Sequence, residues 1–226
     1  VGQIAGATRE VSFQSVLDIS GPITSTLWYG LVNITGDVTL AAGETLTIAP
    51  GTTVVFVEVD QNSDDIGDYE LTIHGTLIVD GTADEPVIFT GLDTDGDTST
   101  EPYGGVYLTA SGGGSAISHA VFEYAYYGLH ISHDVVLDGV ELRDNFIGLV
   151  LQAGAKTVDL GDVHVHDSTD DGIKQTSGTV NAASCTVASN GEDGWDVDDA
   201  TANFSDCTIA DNGKVGVFYR GSGKGT

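Results

Sequence analysis

The chain has 226 residues, with 34 acidic against 7 basic side chains and a formal net charge of −27. This excess of acids argues against nucleic acid and against an anionic membrane surface as partners, because both are bound through clustered lysine and arginine. The chain is nevertheless 40% hydrophobic, in short and evenly spaced runs that can build a core, which argues against disorder. No apolar run approaches the roughly 20 residues of a membrane span.

The first residue and the composition predict a location outside the cell. The chain starts at Val1 rather than at methionine, which is what removal of a signal peptide leaves. Many acids with few lysines suit an extracellular or a high-salt protein, and solubility alone explains them equally well. We expect a secreted, extracellular or cell-surface protein.

The first half of the chain contains short apolar pairs with a period of two, which predicts strands with one buried face. Residues 1–22 match no such unit and are predicted to form an N-terminal cap, whereas residues 23–226 form a β-helix. Polar insertions interrupt the pattern near residues 60–69 and 91–104. The strand pairs of this half are Val32/Ile34, Val38/Leu40, Leu46/Ile48, Val54/Phe56, Leu71/Ile73, Leu77/Val79 and Val106/Leu108.

The second half repeats itself at steps of 20 to 24 residues. Cys185-Thr-Val187 recurs as Cys207-Thr-Ile209, and Asn190 recurs as Asn212 at the same step. Each unit holds three apolar pairs, with glycines at the corners, and no segment has a helical apolar spacing. The pattern predicts a parallel β-solenoid of about nine coils of 20–25 residues, with three short strands per coil.

Two motifs resemble a known group of proteins. Leu46-Thr-Ile-Ala-Pro-Gly-Thr-Thr-Val-Val-Phe56 and Gly75-Thr-Leu-Ile-Val-Asp-Gly-Thr-Ala-Asp-Glu-Pro-Val-Ile-Phe-Thr90 look like the opening coils of secreted right-handed parallel β-helix proteins. The later Val-x-Cys-Thr-Val-x-x-Asn-x-x-x-Gly pattern looks like the repeat of the pectin-lyase-like superfamily. The resemblance covers residues 28–226 and implies a right-handed β-helix. It leaves the function open, since the superfamily is implied to include lyases, epimerases, phage spikes and adhesins.

Stacking of the coils predicts columns of like residues. Cys185 and Cys207 occupy one inward column, either as a bridge or, as we favour, as buried free thiols, and metal binding lacks further ligands there. The asparagines at 145, 190 and 212, with Ser168 between them, are predicted to satisfy backbone groups inside a turn.

Two sets of acids are candidate cation ligands. The loop with Asp93, Asp95, Asp97 and Glu101 places carboxylates at alternate positions around a glycine, which suits Ca²⁺ although the spacing differs from an EF-hand. The second set arises from stacking, which places Asp170 beside Glu192 and Asp171 beside Asp193. Lys214 follows in the first column. Close carboxylates repel each other unless a cation, a raised pKa or high salt intervenes. A solvated acidic surface is the alternative for both sets.

One mixed cluster holds the residue types of a β-elimination lyase. His164 and His166 are predicted to lie over Glu141 and Arg143 of the preceding coil, while Lys174 lies on a neighbouring face. These residues supply a base and a carboxylate but no motif. The tyrosines at 103, 107, 124, 126 and 127 are candidates for stacking on sugar rings or for turn packing. The asparagines at 33 and 203 open glycosylation sequons.

The repeats continue to Tyr219, and the segment after it carries no polar cap. Residues 201–226 hold Lys214, Arg220 and Lys224 against two acids, while the rest of the chain is strongly acidic. An open final coil attracts another strand, so truncation, a fraying last turn and head-to-tail stacking all remain open. We expect end-to-end self-association through these three bases.

The sequence therefore favours a non-catalytic, extracellular structural or adhesive β-helix, as a head-to-tail filament or surface-layer subunit. The alternative is a carbohydrate-active β-helix, a lyase or an epimerase if catalytic, that binds or cleaves acidic polysaccharide with Ca²⁺. The low number of bases favours the first hypothesis.

Overall fold

The computed structural model describes residues 16–57, 59–60, 66–92, 102–152 and 157–226, and these residues form parallel strands without a helix. The strands are β1 (Val16–Ile23), β2 (Thr26–Trp28), β3 (Leu31–Leu40), β4 (Thr45–Ile48), β5 (Thr53–Val57), β6 (Gly67–Ile73), β7 (Thr76–Asp80), β8 (Val87–Leu92), β9 (Tyr103–Leu108), β10 (Ser115–Ser118), β11 (Ala120–Glu123), β12 (Ala125–Ile131), β13 (Val135–Asp138), β14 (Glu141–Arg143), β15 (Ile147–Leu151), β16 (Thr157–Gly161), β17 (His164–His166), β18 (Ile173–Gln175), β19 (Thr179–Ala183), β20 (Thr186–Ala188), β21 (Trp195–Asp198), β22 (Thr201–Ser205), β23 (Thr208–Ala210), β24 (Val217–Arg220) and β25 (Lys224–Gly225).

These strands stack into three faces, so the predicted three strands per coil are confirmed. Face 1 is the sheet β2-β4-β7-β10-β13-β16-β19-β22-β25, whose nine strands agree with the predicted nine coils. Face 2 runs from the first half of β3 through β5, β8, β11, β14, β17 and β20 to β23. Face 3 runs from the second half of β3 through β6, β9, β12, β15, β18 and β21 to β24.

The first described strand extends the stack at its amino-terminal end. β1 pairs in parallel with β3 along both of its halves, with a register shift between Ile19 and Gly21. The boundary that the sequence analysis draws after residue 22 therefore falls inside this strand. Residues 1–15 lie outside the described part of the chain. Of the two predicted insertions, residues 67–69 belong to β6, residues 91–92 to β8 and residues 103–104 to β9.

The core consists of inward columns of apolar side chains. Val165 lies between Leu142 and Val187 in register, and all three are at most 1% exposed. Phe89 and Phe122 stack with their ring centroids 4.5 Å apart and their planes 4° from parallel. Burial of apolar surface in such columns stabilises the fold by about 25 cal/mol per Å², so each coil depends on its neighbours for its core.

The predicted asparagine column satisfies backbone groups at the corner between faces 2 and 3. Asn145 accepts the N–H of Ala125 at 3.0 Å and donates to the carbonyl of Phe122 at 3.0 Å. Asn190 accepts the N–H of Ser168 in the same way. A Cβ built on Gly172 would lie 2.6 Å from the amide nitrogen of Asn190, so the column requires glycine beside it.

The chain turns at the corners on either side of face 2, and the residues at these corners have a positive φ. Six aspartates and two serines occupy these and similar corners, where short polar side chains tolerate the left-handed conformation better than other residues do. They are Asp144, Asp162, Asp167, Ser184, Ser189, Asp199, Asp206 and Asp211. Part of the acidic composition is therefore explained by backbone geometry.

Substitution of Ser168 by asparagine is expected to stabilise the protein. The Ser168 hydroxyl is buried without a hydrogen-bond partner. An asparagine amide there would reach a carbonyl of the preceding coil, as Asn145 reaches Phe122 and Asn190 reaches Val165. Gly148 leaves room beside it, as Gly172 does beside Asn190. We expect about 1 kcal/mol of additional stability in urea unfolding. The outward Ser118→Asn is the control, and an equal gain there would contradict the argument.

Candidate functional site

The predicted mixed cluster lies on the outer surface of face 2. β14 and β17 pair so that Glu141 faces His164 and Arg143 faces His166. His166 contacts Glu141 through Nε2 at 3.1 Å and Asp167 through Nδ1 at 2.7 Å. The predicted neighbours are therefore brought together as the repeat register requires.

The bases of this cluster are engaged by carboxylates. Arg143 forms ion pairs with Glu123 at 2.7 Å and with Glu141 at 3.1 Å, and the hydrogen bond to Glu123 is the largest cause of its raised pKa. Burial lowers the pKa of His166, but its hydrogen bonds to Asp167 and Glu141 outweigh burial, so that the net shift is upward. Both ring nitrogens of His166 are engaged by carboxylates of the chain itself, so neither is free to accept a proton from a substrate.

Lys174 does not belong to this cluster. It lies on β18 of face 3, between Val150 and Asp196 in register, and its Nζ lies 4.0 Å from Asp171. Asp159, on the strand that precedes β17, lies on face 1 and accepts a hydrogen bond from Asn181 at 2.8 Å. The candidate catalytic residues are thus divided between surfaces.

A separate cleft of about 420 Å³ opens beside face 3 near the last coils. Its acids and bases come from three successive coils, and two of its bases are paired with acids of the preceding coil. Lys214 forms an ion pair with Glu192, and Arg220 holds the buried Asp196 with its Nε 3.0 Å from Oδ1. The cleft is lined by Asp170, Asp171, Lys174, Glu192, Asp193, Asp196, Lys214, Val215, Phe218 and Arg220.

This cleft includes the predicted stack of carboxylates. One oxygen from each of Asp170, Asp171 and Glu192 can lie within 4.8 Å of the others. Asp171 is 6% exposed and accepts the N–H of Asp193 at 3.0 Å. Burial, with the charges of Asp170 and Asp193 adding to it, raises the pKa of Asp171. Stacking of the coils therefore brings several carboxylates close together in this cluster.

Two of the three predicted assembly bases are used within the chain. The repeat step places Lys214 in one column with Glu192, so this ion pair follows from the sequence spacing. Lys214 and Arg220 are bound to acids of the preceding coil, while Lys224 is exposed, with no acid at ion-pair distance among the residues that the structure describes. The repeat step places Arg220 over Asp198, so the diagonal ion pair with Asp196 could not be predicted from the sequence spacing. The predicted calcium loop with Asp93, Asp95, Asp97 and Glu101 lies outside the described residues, and it stays a prediction.

The predicted aromatic region is divided by the fold. Tyr103 is buried and stacks on Phe56, with centroids 3.9 Å apart, so it belongs to the core. Tyr126 stacks on Phe146 at 4.7 Å and also contacts Tyr127, on the outer surface at the start of face 3. Tyr107 and His130 extend this surface. Tyr124 lies at a corner with a positive φ.

The aromatic surface continues into the cleft. The carbonyl of Phe146 accepts the N–H of Asp170 at 2.8 Å, and the carbonyl of Asp170 accepts the N–H of Glu192 at 3.1 Å. Rings and charges thus follow one another along a single column of coils. We call this surface the ribbon, defined by Tyr126, Phe146, Asp170, Glu192 and Lys214.

Comparison with known proteins agrees with this architecture. The family model of right-handed β-helix regions matches residues 77–226. The chain belongs to the right-handed β-helix family. Neither the curated proteins nor the solved structures contain a match. As a β-helix, the protein has the predicted fold and handedness, while its function must be argued from its surface. Within the described residues, no helix is long and apolar enough to cross a membrane.

Replacement of Asp171 by asparagine is expected to stabilise this β-helix at neutral pH. A raised pKa means that Asp171 contributes its full stability only below its ordinary pKa of 3.8, and that this contribution is lost as the pH rises through the raised value. Asparagine keeps the acceptor for the N–H of Asp193 without the charge. Urea unfolding at several pH values should show the variant more stable at pH 7, with the difference vanishing in acid.

The control is Asp80→Asn, which removes the same charge from an exposed position. An equal stabilisation by Asp80→Asn would attribute the effect to the net charge of the chain rather than to the buried carboxylate.

Proposed function

We propose that this β-helix is a non-catalytic, extracellular structural or adhesive element whose coils stack end to end on a second copy. The observation that carries the proposal is the distribution of exposed apolar side chains. Seven of the ten large hydrophobic residues that are exposed in the described structure belong to the first or last coils. They are Val16, Leu17, Leu27, Tyr29, Val215, Phe218 and Tyr219.

The carboxyl-terminal coil combines apolar exposure with unpaired strand edges. Val215, Phe218 and Tyr219 are 46%, 41% and 39% exposed. β23 and β24 terminate one sheet and β25 terminates the other, so each has one edge without a partner strand in the described chain. Such edges are templates for parallel pairing with another chain.

Charge complementarity supports a second copy as the occupant. Lys224 is exposed on β25, and the first coils present the exposed Asp18 and Asp37. Contact between opposite ends of two copies would bring these charges together. A head-to-tail contact of this kind does not close on itself, so it builds a filament.

The proposed lack of catalysis is supported by the cluster on face 2. Its bases are held by carboxylates on an outer surface of the solenoid, and both ring nitrogens of His166 contact carboxylates. The proposed location outside the cell is supported by the acidic composition alone.

Replacement of Phe218 by aspartate is expected to weaken self-association. The substitution places a charge on the exposed apolar surface of β24, and sedimentation velocity over a range of protein concentrations measures the result. Val136→Asp is the matched control, because Val136 is 50% exposed but lies on β13 in the middle of the solenoid. Lys224→Glu should weaken association at low salt and have little effect at high salt.

A wild-type protein that stays monomeric at all concentrations and salts would contradict the proposal, as would an equal effect of Val136→Asp. Electron microscopy of the same samples should show filaments that are shorter or absent in Phe218→Asp.

The ribbon supports a second candidate function, the binding of an acidic polysaccharide with Ca²⁺. Its two rings are partly exposed and offer a surface for contact with sugars, and its acids require a bridging cation before they can approach a polyuronate. Lys214 of the ribbon and the neighbouring Arg220 are both ion-paired, so they could bind a uronate only after they release their own acids.

In this second case, alginate or pectate in a native gel should retard the protein only when Ca²⁺ is present. Tyr126→Ala should abolish the retardation, and Tyr29→Ala, which removes an exposed ring at the other end, should not. Absorbance of unsaturated products would further reveal lyase activity. No retardation with either polymer would exclude this candidate for these ligands.

A further inference from the structure

The two cysteines occupy equivalent positions in neighbouring coils. Cys185 immediately precedes β20 and Cys207 immediately precedes β23, two strands that pair in register on face 2. Both thiols are free, with Cys185 buried and Cys207 partly exposed. The lack of further ligands argues against a metal site with four ligands, so a metal ion at these thiols would have to be bound by two sulfurs alone.

Matching contacts show that the two side chains have the same orientation. Sγ of Cys185 lies 3.6 Å from the carbonyl oxygen of Leu160 and 3.4 Å from that of Ala183. Sγ of Cys207 lies 3.4 Å from the equivalent carbonyls of Ala182 and Ser205. Side chains with the same contacts in successive coils are related by one coil step, so their sulfur atoms are separated by about 4.8 Å.

This separation does not suit a disulfide. A disulfide requires about 2.05 Å between sulfurs and Cβ atoms about 3.8 Å apart, whereas stacked side chains run parallel at the strand spacing. Two metal–sulfur bonds of about 2.3 Å placed in a line span about 4.6 Å, which is close to the coil step.

We propose that Cys185 and Cys207 form a two-thiolate site for a soft metal ion of the Cu(I) class. Thiolates select such ions over harder ones, and linear coordination needs no ligand beyond the two sulfurs. Among the described residues, no histidine or carboxylate joins the two thiols in a cluster of potential ligands. A tetrahedral Zn²⁺ site would need four ligands.

The surroundings define how the ion enters and what it displaces. Cys207 precedes the last described strand of face 2 and is partly exposed, so it offers the first sulfur, and the buried Cys185 offers the second. The N–H of Cys185 lies 3.4 Å from Sγ of Cys207 and can donate to a thiolate there. Binding of Cu(I) converts two thiols into two thiolates and releases two protons, with no change of oxidation state.

Proton release makes the affinity dependent on pH. Burial raises the pKa of Cys185 to about 11, although the backbone hydrogen bond from Val163 opposes the shift. Because metal binding removes the proton of the Cys185 thiol, the affinity should increase as the pH rises.

The test is titration of the reduced, purified chain with Cu(I) in competition with a Cu(I) chelator, followed by the ultraviolet thiolate-to-metal band. One ion per chain is expected, together with loss of both thiols to a thiol reagent. Cys207→Ser should abolish binding. Cys185→Val should do so as well, and this variant keeps the fold because Val163 occupies the same column in the preceding coil.

Zn²⁺ is the control ion and should not bind to the two thiols of the wild type or to the remaining thiol of either variant. Cu(I) binding that survives in Cys185→Val or Cys207→Ser would overturn the proposal, as would equal binding of Zn²⁺. Rapid formation of an internal disulfide in the folded protein on addition of oxidised glutathione would also overturn it, because the sulfurs would then approach far more closely than the stacked geometry allows.

This proposal is independent of end-to-end stacking. Sedimentation of the two cysteine variants without metal should match that of the wild type, so a failure of one proposal leaves the other open to its own test.

Discussion

The structure depends on one constraint, the in-register stacking of parallel strands at about 4.8 Å. Within most strand pairs a residue lies directly over its counterpart in the next coil, so each side chain has to be compatible with the side chains above and below it. Apolar columns build the core and amide columns satisfy backbone groups. Some charges are compensated between coils, where Lys214 meets Glu192 and where Arg220 reaches diagonally to Asp196.

The acidic composition has two origins that stacking separates. Six of the aspartates have a positive φ, where the backbone favours a short polar side chain. Others, such as Asp170 and Asp171, lie over further acids and so crowd charge into a cleft. The net charge of −27 therefore gives only partial information on binding partners, because some aspartates are favoured by the backbone geometry. The register of the coils shows where negative charge is uncompensated.

Strand pairs, coil length and the columns at Cys185, Asn190 and Asp170 could all be predicted, because a repeat step converts sequence spacing directly into contact. The same step predicted that His166 lies over Arg143. It could not predict that both are held by carboxylates, since the choice of partner depends on side-chain orientation and on Glu123 one coil earlier. The repeat step also could not predict the burial of the Asp171 side chain, because that burial depends on how the corner between faces 2 and 3 encloses the cleft.

The sequence by itself determined the solenoid, its three strands per coil and the residues that share each column. Period-two apolar pairs and a regular step leave no other arrangement in which every coil buries its inner face. Only the tertiary structure decided that Arg143 and Arg220 are already paired with acids, which apolar residues stay exposed on the first and last coils, and that the two sulfurs have the same orientation. These properties depend on the direction of the side chains and on the neighbours that cover them. The spacing of residues along the sequence gives information on neither.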